Sequence, residues 1–181
     1  MAASISPWVR RFMGGVAPRG GVLDVACGGG RNMRAALAAG HRCVGIDRDL
    51  AGVADLAERA DVRLIEADLE GGKPFPLAGE LFSGVIVTNY LWRPILADIV
   101  GAVAADGVLI YETFAAGQER IGRPRNPDFL LRPGELLEAV RARLTPIAFE
   151  HRRLAEPERI VQRIVAVGSD HAWRSDPPAW S

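Results

Sequence analysis

The chain has 181 residues, enough for one domain with its own core. Acidic and basic residues balance at 22 each, so the basic excess of a dedicated nucleic-acid binder is missing. No apolar run is long enough to span a bilayer, Pro7, Arg10, Arg11 and Gly14 break up any signal-peptide layout, and Cys27 and Cys43 are too few for a disulfide framework; together these point to a cytoplasmic protein with reduced thiols and no membrane partner.

In chain order, residues 4–13 read as a short helix starting near Ser6, with Pro7 at its first position. A Gly/Pro loop leads to a buried strand over 22–26 that ends in the Gly28-Gly29-Gly30 turn. An Ala-rich helix over 31–39 stops at Gly40. Strands follow over 42–46, closing on Asp47, and over 62–66, closing on Asp68, with a helix over 50–60 between them. Beyond a polar loop at 70–79, a fourth strand over 82–88 opens onto Asn89-Tyr90. A helix over 93–104 precedes a fifth strand over 107–113.

The irregular stretch 114–131 is long for a compact domain and reads as an active-site lid. A helix over 133–143 and two strands over 146–153 and 159–167 follow; the short turn between the strands pairs them antiparallel. Residues 168–181 form a polar tail expected to fray, and 1–20 a helix and loop leading into a single domain. The alternation of strand and helix implies an α/β fold: a mostly parallel sheet with helices on both faces and ligands at the carboxyl ends of the strands. Gly28–Gly30, Asp47, Asp68, Asn89 and Glu112 all close or follow a strand and so gather at that end.

Within Leu23-Asp24-Val25-Ala26-Cys27-Gly28-Gly29-Gly30-Arg31-Asn32, the glycines let backbone pass close to a ligand, and the helix start favours a negative group. Asp47, 19 residues after Gly28, is placed to accept hydrogen bonds from a ribose diol. A dinucleotide dehydrogenase would look similar to this point, since a lone glycine motif is weak evidence. Three features favour another ligand. Met33 stands where a third fingerprint glycine belongs; Asp24 would repel a pyrophosphate yet could help hold an ammonium group; Asp68-Leu69 is placed to read an adenine amino group. The plainer roles are loop capping for Asp24, a helix N-cap for Asp47, a turn for Asp68, a solvated charge for Arg31 and packing for Cys27.

From about residue 20 to 167 the chain resembles the class I S-adenosylmethionine-dependent methyltransferases. Gly-Gly-Gly-Arg-Asn and the later Phe129-Leu130-Leu131-Arg132-Pro133-Gly134-Glu135-Leu136 are similar to the tellurite-resistance methyltransferase group. The resemblance implies a Rossmann-like seven-stranded sheet ending in a reversed antiparallel hairpin. It also implies S-adenosyl-L-methionine as cofactor and S-adenosyl-L-homocysteine as product. The cofactor candidates are then Asp24, Ala26, Cys27, Gly28, Gly30, Arg31, Asn32, Asp47, Arg48, Asp68, Leu69 and Asn89. Gly28 and Gly30 with nearby backbone would line the methionine part, Asp47 would hold the ribose, Asp68 and the Leu69 amide would read adenine, and Asn89 would meet the transferred methyl.

Methyl transfer from a sulfonium needs alignment more than acid–base help. The rim candidates for catalysis are Asn89, Tyr90 and Glu112; for the acceptor they are Tyr90, Trp92, Arg93 and the loop residues Arg123 and Arg125. Glu112 also reads as a strand-end carboxylate paired to an Arg, and Tyr111 faces away from it. No His, Cys or carboxylate cluster has metal-ligand spacing. The expected function is methyl transfer to a small molecule, an anion or a thiol or chalcogen compound, by a monomer or homodimer. The alternatives are an RNA or protein methyltransferase and a non-catalytic S-adenosylmethionine-binding module, with a nicotinamide dehydrogenase as a minor option.

Overall fold

The computed structural model describes residues 4–179, so Met1–Ala3 and Trp180–Ser181, the outer ends of the expected leader and tail, lie outside the description. Seven strands form one sheet: β1 (Gly21–Val25), β2 (Arg42–Asp47), β3 (Val62–Glu66), β4 (Phe82–Thr88), β5 (Val103–Phe114), β6 (Thr145–Ala155) and β7 (Glu158–Val167). Their order is β3-β2-β1-β4-β5-β7-β6. The pairs among β1–β5 are parallel, while β7 runs antiparallel to both β5 and β6. The strand order reverses between β1 and β4, and a doubly wound sheet leaves its ligand crevice at that point.

Period-two side-chain alternation splits the core into two layers. Leu23, Val25, Val85, Val87, Leu109 and Tyr111 pack on one face with α3 (Leu96–Gly101) and α4 (Glu135–Val140). Val22, Ile86, Val108 and Ile110 pack on the other with α1 (Pro7–Phe12) and α2 (Arg31–Ala38). Pro7 does open α1, and the Ser6 side chain accepts from the Trp8 and Val9 N–H groups. Gly30, at φ +69°, lies so close to Val53 that a Cβ there would stand 2.5 Å from its Cγ1. The turn is thereby pressed onto the connection after β2.

Several elements are shorter than the sequence suggests. The helix expected over 50–60 is a 3₁₀ segment, Ala51–Leu56. Gly52 is packed against the glycine turn, where a Cβ would come within 2.9 Å of Gly29 Cα. The helix expected over 93–104 is a 3₁₀ turn, Arg93–Ile95, followed by the short α3, because Val103 already pairs with Phe82 and starts β5. The stretch 115–131 holds two 3₁₀ turns, Gln118–Arg120 and Pro127–Phe129; it is bound to β5 through Leu131 N–H to Phe114 O at 3.0 Å, and its two ends are joined by Ala116 N–H to Leu131 O at 2.9 Å. The start of the tail is pinned as well. His171 reaches the Gly15 carbonyl at 2.8 Å, and Trp173 packs edge-on against Phe12. No helix among the described residues is long and apolar enough to cross a membrane.

Candidate active site

The carboxyl-terminal tips of β1 to β4 border three adjoining hollows. The first, about 660 Å³, is lined by Ala26, Cys27, Gly28, Gly29, Arg31 and Asn89 among others. The second, about 410 Å³, shares Ala26 and adds Asp47, Asp68, Leu69, Tyr90 and Phe129. The third, about 740 Å³, shares Arg48, Ala67, Asp68 and Leu69 with the second and extends past Lys73 to Ile95. Shared wall residues, Ala26 between the first two and Asp68 among those between the last two, set them side by side as a trough from Asn89 to beyond Asp68.

Asp47 ends β2 beside the glycine turn. Its Oδ2 accepts from Gly28 N–H at 2.7 Å and its Oδ1 from Asp49 N–H at 3.2 Å. These bonds fix the carboxylate plane, and each oxygen keeps acceptor capacity for a ligand hydroxyl. Asp68 is exposed, with Oδ1 accepting from Glu70 N–H at 3.0 Å. Arg31 makes no hydrogen bond or ion pair among the described residues; only its through-space attraction to Asp24 is seen. Its neighbour Arg34 is held by two 2.7 Å bonds to Asp55.

Ala26 and Asn89 both have left-handed backbones, at φ +53° and +56°. Asn tolerates that region; for Ala it costs roughly 1–2 kcal/mol, and such outliers concentrate at functional sites. Ala26→Gly relieves the strain but also loosens the unfolded chain. We expect a net gain of up to about 1 kcal/mol in urea unfolding. A loss of stability would mean that the Ala26 methyl packs rather than strains.

Asp24 and Asn32 lie beneath the turn and do not line the hollows. Asp24 is 1% exposed, and its Oδ2 has no hydrogen-bond partner. Burial pushes its carboxyl up to about 7, against the opposing pull of the Met33 N–H, Arg31 and the Asn32 side chain. Asn32 donates to Thr88 Oγ1 at 3.1 Å and accepts from Ser6 N–H at 3.4 Å, tying α2, β4 and α1 together. Because folding raises the Asp24 pKa, the folded state holds the extra proton and stability falls as pH rises from about 4 to about 7. Asp24→Asn should therefore match wild type near pH 4 and melt higher than it at pH 8. A gap that stays constant with pH would contradict this. The Cys27 thiol is pushed up to about 12 by burial, and then by Asp24 and Asp47, which suits packing and not nucleophilic attack.

The rim candidates divide. Asn89 lines the first hollow and Tyr90 the second. The Tyr90 phenol is pushed up by burial and by nearby Glu70, Asp68 and Asp47, so it stays protonated and is no base. Its hydroxyl is buried without a partner, and its carbonyl accepts from Tyr111 Oη at 2.9 Å.

Glu112 does not belong to the site. It is 0% exposed, on the α1 face, with Oε2 2.6 Å from Arg163 Nε and Oε1 accepting from Ser6 Oγ at 3.1 Å. A buried, paired carboxylate cannot reach an acceptor's proton. Arg93 is likewise withdrawn from the acceptor. Its Nε and Nη2 grip Glu135 at 2.6 and 2.9 Å, and Nη1 and Nη2 donate to the Asp128 and Leu130 carbonyls at 2.6 and 2.8 Å. Trp92 packs against the core, and Arg123 and Arg125 are exposed on the loop, outside the three hollows. Thr88 and Phe129 line the hollows without being named as site residues from the sequence; Gly29 lies inside the glycine run placed there, and Phe129 opens the Phe129–Leu136 motif.

A family described as "Methyltransferase domain" matches residues 22–107. A comparison with curated proteins finds no match. Among solved structures, the chain is similar to the Burkholderia thailandensis 1,6-didemethyltoxoflavin-N1-methyltransferase, crystallised with 1,6-didemethyltoxoflavin and S-adenosylhomocysteine. That pair has a TM-score of 0.69 and 22% identity over 93% of this chain and 80% of the other. TehB from Haemophilus influenzae gives a TM-score of 0.69 at 16% identity over 93% of this chain, which spans 63% of TehB. A TehB-like S-adenosylmethionine-dependent methyltransferase from Corynebacterium glutamicum gives 0.61 at 22% identity, over 89% of this chain and 87% of the other. Residues 22–107 thus match a methyltransferase family, and the chain shares the fold of these solved methyltransferases.

Proposed function

We propose that the chain transfers a methyl group from S-adenosylmethionine, the donor characteristic of this family, to a small-molecule acceptor, an anion or a thiol or chalcogen compound. The observation that supports this is the row of adjoining hollows that brings the glycine turn, Asp47, Asp68 and Asn89 together along the strand tips. The walls fit the donor. At Gly28 and Gly29 an added Cβ would meet nothing within 4 Å, so backbone borders open space where any side chain would intrude. Arg31 would meet the donor's carboxylate, Asp47 its ribose, and Asp68 with the Leu69 amide its adenine. When bound, the donor supplies an activated methyl on a positively charged sulfur.

The chain's own part is alignment and exclusion of water. With Glu112 and the Tyr90 phenol removed as bases, no carboxylate or imidazole among the described residues lines the hollow beside Asn89 except Asp55, which is paired to Arg34. That setting suits an acceptor that arrives as a soft anion and needs no proton removed. Arg123 and Arg125, exposed on the loop after β5, would draw an anion toward the rim. A screen of small acceptors with methyl-labelled donor tests the reading. Label should pass to an anionic or thiol compound. Transfer only to RNA or protein, or donor binding without turnover on any acceptor, would replace this reading.

A further inference from the structure

The second hollow has one wall that comes from far along the chain. Phe129 comes from the loop after β5, some forty residues beyond Asn89, yet it lines the hollow that holds Asp47, Asp68 and Tyr90. Its own segment does not explain that placement. Phe129 ends a single 3₁₀ turn, capped by the Asn126 side chain accepting from Asp128 N–H at 3.0 Å. Leu130 and Leu131, the next two residues, are turned into the core, at 4% and 0% exposure. Backbone bonds hold the turn, Phe129 N–H to Asn126 O at 3.1 Å and Leu130 N–H to Pro127 O at 3.0 Å, and Arg93 adds a side-chain clamp from outside the segment. Its guanidinium donates to the carbonyls of Asp128 and Leu130, the residues on either side of Phe129.

Arg93 is itself immobilised. Glu135 at the start of α4 takes its Nε and one Nη in a two-point bond and also accepts from Arg132 N–H at 2.8 Å. Burial pushes the Glu135 carboxyl up, but these donors outweigh it and hold it below its usual range, so it remains an anion at neutral pH. A planar fork with four of its five N–H groups directed at fixed acceptors sets both position and orientation, which a lysine cannot do.

We propose that Arg93 is a positioning residue that acts through Phe129: the Glu135–Arg93 fork holds the two flanking carbonyls so that the Phe129 ring covers the hollow where the donor's adenosine binds. This rests on the donor reading given above. It also assigns part of the loop 115–131 to the donor side of the site and not to the acceptor alone.

Calorimetric titration of the full chain with S-adenosylhomocysteine and with adenosine tests the assignment. Phe129→Ala should weaken both ligands roughly tenfold, the loss of one aromatic wall. Arg93→Met should weaken both to a similar degree, and the double variant should be no weaker than Phe129→Ala alone. Arg93→Lys, which keeps the charge but not the fork, should behave like Arg93→Met and serves if Arg93→Met does not fold. Losses that add in the double variant, full affinity in Arg93→Met, or full affinity in Arg93→Lys would each overturn the proposal. If Asp47→Ala loses affinity while Phe129→Ala and Arg93→Met do not, the donor reading stands and this inference fails. If the unaltered chain binds neither ligand, the donor reading itself fails and takes the inference with it.

Discussion

Asp47→Ala should weaken S-adenosylhomocysteine binding at least tenfold while leaving the fold in place. The carboxylate sits at the tip of β2, only partly buried, and makes two backbone bonds, to Gly28 N–H and Asp49 N–H. On the proposed donor reading, removing it subtracts a charge-assisted bond to the ribose, about 1.5–3 kcal/mol, which corresponds to roughly 10- to 100-fold in affinity. It also frees the Gly28 N–H and so loosens the turn that borders the trough. Asp47→Asn keeps one acceptor oxygen in the same place without the charge, and its affinity should fall between the two. Calorimetry on all three proteins gives the comparison. Equal affinity in wild type and Asp47→Ala would take Asp47 out of the site, however well its position matches the sequence pattern.

Glu112→Gln should unfold far more easily than wild type, by about 3–5 kcal/mol, because it breaks a buried ion pair and leaves Arg163 with only a 3.5 Å contact to Glu150. Arg163 has only 11% of its side chain exposed, and burial already pulls its pKa down against the attraction of Glu112 and Glu150. Its guanidinium also lies over the Trp8 ring at 5.5 Å. The pair thus joins α1 to β5 and β7, with Ser6 as a third member. Replacing both partners with apolar residues, Glu112→Leu with Arg163→Met, should cost less than either single change, since the closest pair of opposed charges leaves together; Glu150 keeps Arg152 at 3.8 Å, and Arg159 loses only a 3.9 Å contact to Glu112. Urea unfolding measures the stabilities, and turnover per folded molecule separates fold from chemistry. A Glu112→Gln protein with full stability and a hundredfold loss of kcat would restore Glu112 as a base.

What was legible in the sequence follows from sheet geometry. A strand fixes where its last residue lies, so Asp47, Asp68 and Asn89 could be placed on one edge from periodicity alone. Ser6 and Pro7 marked the start of α1 because capping is a local effect. The failures are non-local. Val103-Ala104-Ala105-Asp106 continues a helical pattern, yet pairing of Val103 with Phe82 draws it into β5. The second helix shrinks to a 3₁₀ segment where Gly52 meets the glycine turn, a contact no propensity encodes. Arg93 and Glu112 looked like rim residues because one follows β4 and the other comes near the end of β5. Their partners, Glu135 and Arg163, lie far along the chain, and only the fold shows that both charges are already taken. Phe129 reached the trough by the same kind of distant contact.

The central claim is that the trough along β1 to β4 holds an adenosine-bearing sulfonium donor and not a dinucleotide. Titrating the full chain with S-adenosylhomocysteine and, separately, with NAD tests it most directly. The account predicts saturable binding of S-adenosylhomocysteine, and of S-adenosylmethionine in the same site, with no response to NAD. Tight binding of NAD with no response to either sulfur compound would contradict it.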